Sequence, residues 1–146
     1  MIKKILIACD GSNASHKAFQ YGLDIAKKFG AQLELISVVQ VLDPPEDVET
    51  KDYVERGKDY YNKVILDLES EASKQNVPIT TEIVLGHPAQ QIIHSAIKKK
   101  VDLIILGHQT KKTFGQWLLG SVPDRVVHHA PCSVLVVKTE SGLSGH

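Results

Sequence analysis

The sequence predicts an α/β fold: a single domain built on a parallel sheet with helices on both faces. Three observations predict it. Apolar runs alternate with helix-period segments along the chain, the pattern of parallel strands joined by crossover helices. The strand runs are apolar almost throughout rather than at every second position, as in strands covered on both faces. The length, 146 residues, suits one domain with a core of its own.

Each element has its own signal. "KILIAC", residues 4–9, reads as a buried strand. Over residues 12–29, Ala18, Gly22, Ile25, Ala26 and Phe29 fall three or four apart, a helical stripe, and Gly30 stands where a C-cap glycine belongs. "QLELISVV", residues 32–39, is the second strand. "QVLDPPEDVETKD" holds Pro44, Pro45 and five acids and reads as a loop. Its acidic part, from Asp43 to Asp52, is expected to be solvated, with a lid over a pocket as the alternative that this fold allows. A second stripe, Tyr61, Val64, Ile65, Leu68 and Ala72, marks a helix over residues 53–75. "ITTEIVL", residues 79–85, is β-branched and strand-like, and Gly86-His87-Pro88 breaks it. Ala89, Ile92, Ile93, Ala96 and Ile97 form a third stripe. "VDLIIL", residues 101–106, is the fourth strand. A helix over residues 122–129 ends before Pro131, and "SVLVVK", residues 133–138, is the last strand. The domain is therefore expected over residues 1–138, with residues 139–146 a disordered tail.

Lysine plus arginine and aspartate plus glutamate both number 17, so the net charge is zero, which argues against a nucleic-acid binder or a polybasic membrane anchor. Cys9 and Cys132 sit in apolar runs and read as core thiols. The start, "MIKKILIACDGS", has too short an apolar stretch for a signal peptide, and no run approaches a membrane span. The expected location is the cytoplasm.

Folds of this class bind ligands outside the carboxyl ends of the strands. That directs attention to residues 10–15, 38–41 and the stretch "GHQTKKTFGQWLLGSV", residues 107–122. In the last, Gly107 is expected to end a strand, Ser121 to cap a helix, and Asp124 to stand in that helix's first turn. A helix N-terminus suits an anionic phosphate, and Lys111 and Lys112 add positive charge. Read alone, the stretch fits a phosphate-holding loop or a capped turn. Gly115 and Gly120 have the spacing of a P-loop, but Ser121 stands where that motif needs lysine, so a P-loop is rejected. "DGSNAS" has one glycine and fails the dinucleotide fingerprint. Asp10 can accept from a ribose hydroxyl or an exocyclic amine; Asp10 or Ser12 can equally cap the first helix. A flavin site is disfavoured because aromatics make up only 5% of the chain.

Taken together, "KKILIACDGS", "GHP" and "DLIILGHQTKKTFGQWLLGSV…APCSVLVVK" resemble the universal stress protein (UspA-type) family in order and spacing, over the whole chain to Lys138. The resemblance implies a Rossmann-like five-stranded sheet in the order 3-2-1-4-5. It implies a homodimer formed by antiparallel pairing of the last strands, here Ser133 to Lys138. One branch of the family binds ATP through a G-x2-G-x9-G-S/T pattern. Gly107, Gly120 and Ser121 match it, while Thr110 stands in place of the middle glycine. The same resemblance implies that Asp10 lies near the ribose or base, that the backbone at Ala8 and Val38 lies against adenine, and that Leu106 and Val122 lie beside the nucleotide. The expected ligand is ATP or a related adenine nucleotide, with Mg²⁺ held mainly by the nucleotide's phosphates. The expected role is a nucleotide-binding regulator of the stress response acting with a signalling partner that the sequence does not identify; the alternative is a dimeric interaction module without nucleotide. Efficient turnover is not expected. His108 reads as a loop side chain, His128 and His129 as helix-end residues that complement the dipole, His87 as a turn residue, and His16 and His94 as surface residues.

Overall fold

The structure, a computed structural model, describes residues 1–41, 47–110, 112–113, 116–117 and 119–140; at 110, 112, 113, 116 and 117 it describes the backbone alone. The elements run β1 (Lys4–Ala8), α1 (Asn13–Phe29), β2 (Gln32–Gln40), α2 (Val48–Lys74), β3 (Ile79–Gly86), α3 (Pro88–Lys99), β4 (Leu103–Thr110), β5 (Lys112–Thr113), β6 (Gln116–Trp117), α4 (Ser121–His129) and β7 (Ser133–Glu140). Five strands form one parallel sheet in the order β3-β2-β1-β4-β7, the predicted 3-2-1-4-5 arrangement. β5 and β6 pair antiparallel as a short hairpin after β4.

The apolar strands work because both faces are covered. Ile5 and Ile7 of β1, Leu33 and Leu35 of β2 and Leu103 and Ile105 of β4 pack with α1 and α2 residues such as Phe19, Leu23 and Leu68. Their neighbours in sequence, Leu6, Ile36, Ile104 and Leu106, turn the other way and pack with Ile92 and Ala96 of α3 and Val126 of α4. Each fully buried large aliphatic side chain contributes about 1.5–3 kcal/mol. Within α1 the expected Ala18, Gly22 and Ala26 are buried and Phe19 and Leu23 join them, while Phe29 is exposed.

One charged cluster interrupts the apolar face toward α3. Glu34 is 6% exposed on β2. Its carboxylate accepts from the Lys99 ammonium at 3.1 Å and from the Gln32 amide at 2.8 Å. Lys99 also pairs with Glu82 of β3, which accepts from the Ser95 hydroxyl at 3.0 Å. Burial alone would lower the Lys99 pKa, but the bonds to Glu82 and Glu34 raise it above the usual lysine value. The stability gained is thus present below the ordinary lysine pKa and lost as pH rises through the raised one.

Four sequence expectations need correction. β4 does not stop before Gly107; it continues in register with β7 as far as Thr110 opposite Glu140. Strand pairing, not a sharp turn, fixes the backbone there. Ser121 is not the cap of α4; Gly120 is, with no side-chain cap bond, and Ser121 is the first helical residue. β7 extends to Glu140, two residues into the expected tail, while residues 141–146 lie outside the described residues. α2 begins at Val48 rather than near Tyr53, because Asp47 caps it by accepting from the Thr50 N–H at 2.6 Å. Much of the expected acidic loop is therefore helix, and residues 42–46 lie outside the described residues.

Gly107 sits under the first turn of α1. A Cβ there would lie 2.2 Å from the Ala14 carbonyl oxygen and 2.6 Å from the Ser15 nitrogen. Gly107→Ala is expected to destabilise the fold by about 2 kcal/mol, since overpacking against backbone finds no flexible neighbour to yield. Gly30→Ala is expected to cost about 1 kcal/mol: Gly30 has φ +68° and open space around it, so only the left-handed conformation is penalised. Urea unfolding of both variants checks the ranking. Lys99→Met leaves Glu34 buried without its cation and is expected to cost about 2 kcal/mol at neutral pH. The difference from the parent should shrink as pH rises through the raised lysine pKa of the parent, which unfolding curves at several pH values would read.

Candidate nucleotide-binding cleft

The strand order reverses between β1 and β4, with β2 on the far side of β1. Outside the carboxyl ends of these strands lies a cleft of about 840 Å³, within the range of small-molecule sites. Its walls are built from four places in the chain.

The first is the turn after β1. The Cys9 N–H donates to the Ile36 carbonyl at 2.9 Å, and the Ser37 hydroxyl donates to the Cys9 carbonyl at 2.6 Å, which ties β1 to β2 at the cleft floor. The chain then turns through Gly11, at φ +84°. The Ser12 N–H donates to Asp10 Oδ1 at 2.9 Å, and Ser12 Oγ accepts from the Ser15 N–H at 3.1 Å as the α1 cap. Both sequence readings of this turn therefore hold a part: Ser12 is the cap, and Asp10 shapes the turn while its carboxylate stays exposed at the cleft.

The second wall is β4. Gly107 has no positive φ; among the described non-glycine residues only Asn76 and Lys100 do, so Thr110 does not either. The glycine at 107 serves close approach, and the threonine at 110 sits in extended strand backbone that a β-branched residue accepts. The Thr110 side chain lies outside the described residues, as do Lys111 and Gly115. His108 and Gln109, expected in a loop, belong to β4 and line the cleft.

The third wall is the start of α4. The Asp124 N–H donates to the Gly120 carbonyl at 3.0 Å, the first bond of the helical ladder. The N–H groups of Ser121 and Val122 precede that ladder, and Pro123 has none. With the start of α1 seated on Gly107, two helix N-termini flank one end of the cleft, which suits an anion.

The fourth wall was not anticipated. Tyr53, Arg56, Gly57, Tyr60 and Tyr61 of α2 line the cleft together with Val38, Val39 and Gln40. Tyr53 Oη donates to the Gln40 carbonyl at 3.1 Å and Tyr60 Oη to the Asp10 carbonyl at 3.4 Å. The rings of Tyr60 and Tyr61 meet edge to face at 5.1 Å. Burial raises the Tyr61 pKa, and the charge of Asp10 raises it further. Three of the chain's four tyrosines thus gather here, so a low aromatic content is no guide to this cleft. The spacing 53, 57, 60 marks one helix face, the signal that was available, but the same spacing also describes a core stripe.

Of the sequence-selected residues, Ala8, Asp10, Val38, Leu106, Gly107, Gly120, Ser121 and Val122 all line the one cleft. Cys9 also lines it, but burial, and then the charge of Asp10, push its thiol pKa far up, which keeps it a neutral core thiol. Cys9 and Cys132 are both unpaired as disulfides. His16 bonds Glu71 at 3.0 Å on the surface, and His128 Nδ1 bonds the Asp124 carbonyl at 2.8 Å. Among the described residues no group of His, Cys, Asp and Glu is arranged to hold a metal ion, and no helix is long and apolar enough to cross a membrane.

Comparison with known proteins agrees with this architecture. The model of the universal stress protein family matches residues 1–138. A universal stress protein of Methanocaldococcus jannaschii is 38% identical over 141 residues, covering 94% of this chain and 83% of that protein. The structure of the universal stress protein UspA from Lactobacillus plantarum superposes with a TM-score of 0.82 at 26% identity, covering 93% of this chain and 97% of the other. A universal stress protein solved in complex with cAMP shares the fold, with a TM-score of 0.73 at 22% identity over 94% and 97% of the two chains. The chain belongs to the universal stress protein family.

Proposed function

We propose that this protein is an adenine-nucleotide-binding regulator of the stress response, with ATP or a close relative as ligand. The observation that carries the reading is the convergence, in one cleft, of two helix N-termini, the exposed Asp10 and a set of apolar and aromatic side chains. Phosphates suit the helix N-termini, where N–H groups outside the helical ladder and the dipole favour negative charge. A ribose hydroxyl suits Asp10. The flat faces of a base suit the surface formed by Val38, Val39 and the α2 tyrosines. The cAMP-bound relative supports the capacity of this fold for an adenine nucleotide. Mg²⁺ would be held mainly through the nucleotide's phosphates.

The protein acts in this proposal as a cytoplasmic homodimer joined through its last strand, from Ser133 to Lys138. β7 is an edge of the sheet, and an unpaired edge is a template for pairing with a second copy. The dimer passes ligand occupancy to a signalling partner; neither nucleic acid nor membrane is part of the proposal.

The first measurement is direct. Freshly purified protein is denatured, the released small molecules are identified by mass spectrometry, and the stripped protein is titrated with ATP, ADP and AMP. Bound adenine nucleotide or tight rebinding is expected. Its absence at millimolar nucleotide would make the chain an interaction module. Gly120→Val is expected to weaken binding by at least a hundredfold with little change in melting temperature. Gly120 has no positive φ, but even a Cβ there would stand 3.0 Å from the His108 ring, and the larger side chain would enter the cleft. Binding without efficient turnover is the proposed chemistry. Phosphate release from ATP should stay slow and should not change in His108→Ala, as measured by a coupled phosphate assay.

A further inference from the structure

The role of the α2 tyrosines rests on the nucleotide reading and goes beyond it. Tyr53 and Tyr60 are 47% and 50% exposed, too open to be core residues. Neither ring is loose. Each hydroxyl is bonded to a backbone carbonyl at the carboxyl end of a cleft-forming strand, Gln40 after β2 and Asp10 after β1. Tyr60 also lies directly over the Gly11 turn: a Cβ at Gly11 would stand 2.0 Å from its hydroxyl and 2.9 Å from ring carbon Cζ.

Gly57 lies between them on the same helix face. A Cβ there would approach Val39 Cγ1 to 2.9 Å, so the glycine lets α2 settle onto the end of β2. Glycine inside a helix is unfavourable, yet it stands where it brings two aromatic rings over the strand ends. The result is a roof over the part of the cleft lined by Asp10, Val38 and Val39.

We propose that Tyr53 and Tyr60 are ligand-binding residues whose rings cover the flat heteroaromatic base and its sugar, making α2 the element that recognises the nucleoside half of the ligand. The lining sets this assignment: the anionic half belongs at the N–H groups of the helix N-termini, and Val38 and Val39 with the tyrosines beside them offer the base an apolar, aromatic surface. Aromatic rings contact every base through its π-face, so they supply affinity for the nucleoside whatever the number of phosphates.

The test is an NMR study of the stripped full-length protein, with tyrosine rings ¹³C-labelled, titrated with adenosine, AMP and ATP. Nuclear Overhauser effects between Tyr60 ring protons and the base or ribose protons are expected in the AMP complex. Tyr60→Ala should remove them and weaken adenosine, AMP and ATP by the same factor, roughly tenfold. Tyr60→Phe, which keeps the ring, should stay within about twofold of the parent. Tyr21→Ala, at an exposed tyrosine of α1 outside the cleft, is the control. Binding by the parent without these contacts, or with unchanged affinity in Tyr60→Ala, overturns the roof while leaving the nucleotide reading intact. A loss that Tyr60→Phe fails to restore would assign Tyr60 to anchoring the Asp10 turn instead. No binding by the parent to any of the three ligands overturns both.

Discussion

The seating of α1 on β4 governs the rest of the molecule. Because residue 107 has no side chain, the Ala14 carbonyl and the Ser15 N–H approach the strand backbone directly. The start of α1 is thereby drawn to the place where the sheet reverses its strand order. The Asp10–Ser12 turn follows, since Ser12 must cap a helix whose first turn is already fixed. Ser15 adds to this, accepting from the Asp10 N–H and donating to the Ser12 carbonyl. A glycine in the middle of a strand forgoes side-chain packing. Here that absence is what places one helix N-terminus at the cleft, and Gly120 places the second.

Different elements supply the polar and the apolar lining of the cleft. Helix starts and small residues face the β4 side, and a long helix lies against the ends of β1 and β2. The charged cluster of Glu34, Lys99 and Glu82 sits on the α3 side of the sheet, apart from the cleft lining. It fixes the far end of α3, whose near end contributes Pro88 and Ile92 to the cleft. The Lys99–Glu34 contact holds a carboxylate among aliphatic neighbours, and that carboxylate has two donors, the Lys99 ammonium and the Gln32 amide.

The sheet was legible in the sequence because its strands are short, apolar and separated by strong helical stripes. The helix bounds were legible where a cap was plain, as at Ser12 and Gly30, and less so at α2, where Asp47 was hidden in a run of acids. The extent of β4 was not legible. "GHQT" has no strand-like pattern of its own, and only pairing with β7 makes it a strand. For the site, a short list of glycines, a serine and an aspartate led to residues that line one cleft. The tyrosines of α2 were missed because a sequence cannot show that a helical aromatic stripe ends at a cavity rather than in a core. That distinction depends on how far α2 reaches past the strand ends, which Gly57 and Val39 set together.

The junction of β1 with β4 joins parts of the chain that are far apart. The Asp102 carboxylate accepts from the Lys3 and Lys4 N–H groups at 2.8 and 3.0 Å, across 99 and 98 residues of sequence, and these two bonds hold its pKa low. Parallel pairing at that separation is slow to form, because loop closure precedes any reward from the contacts. The seam where the strand order reverses therefore closes the longest loop between neighbouring strands of the sheet, one that spans three helices. A ligand that binds only the chain with this seam closed would stabilise the native state over the unfolded one.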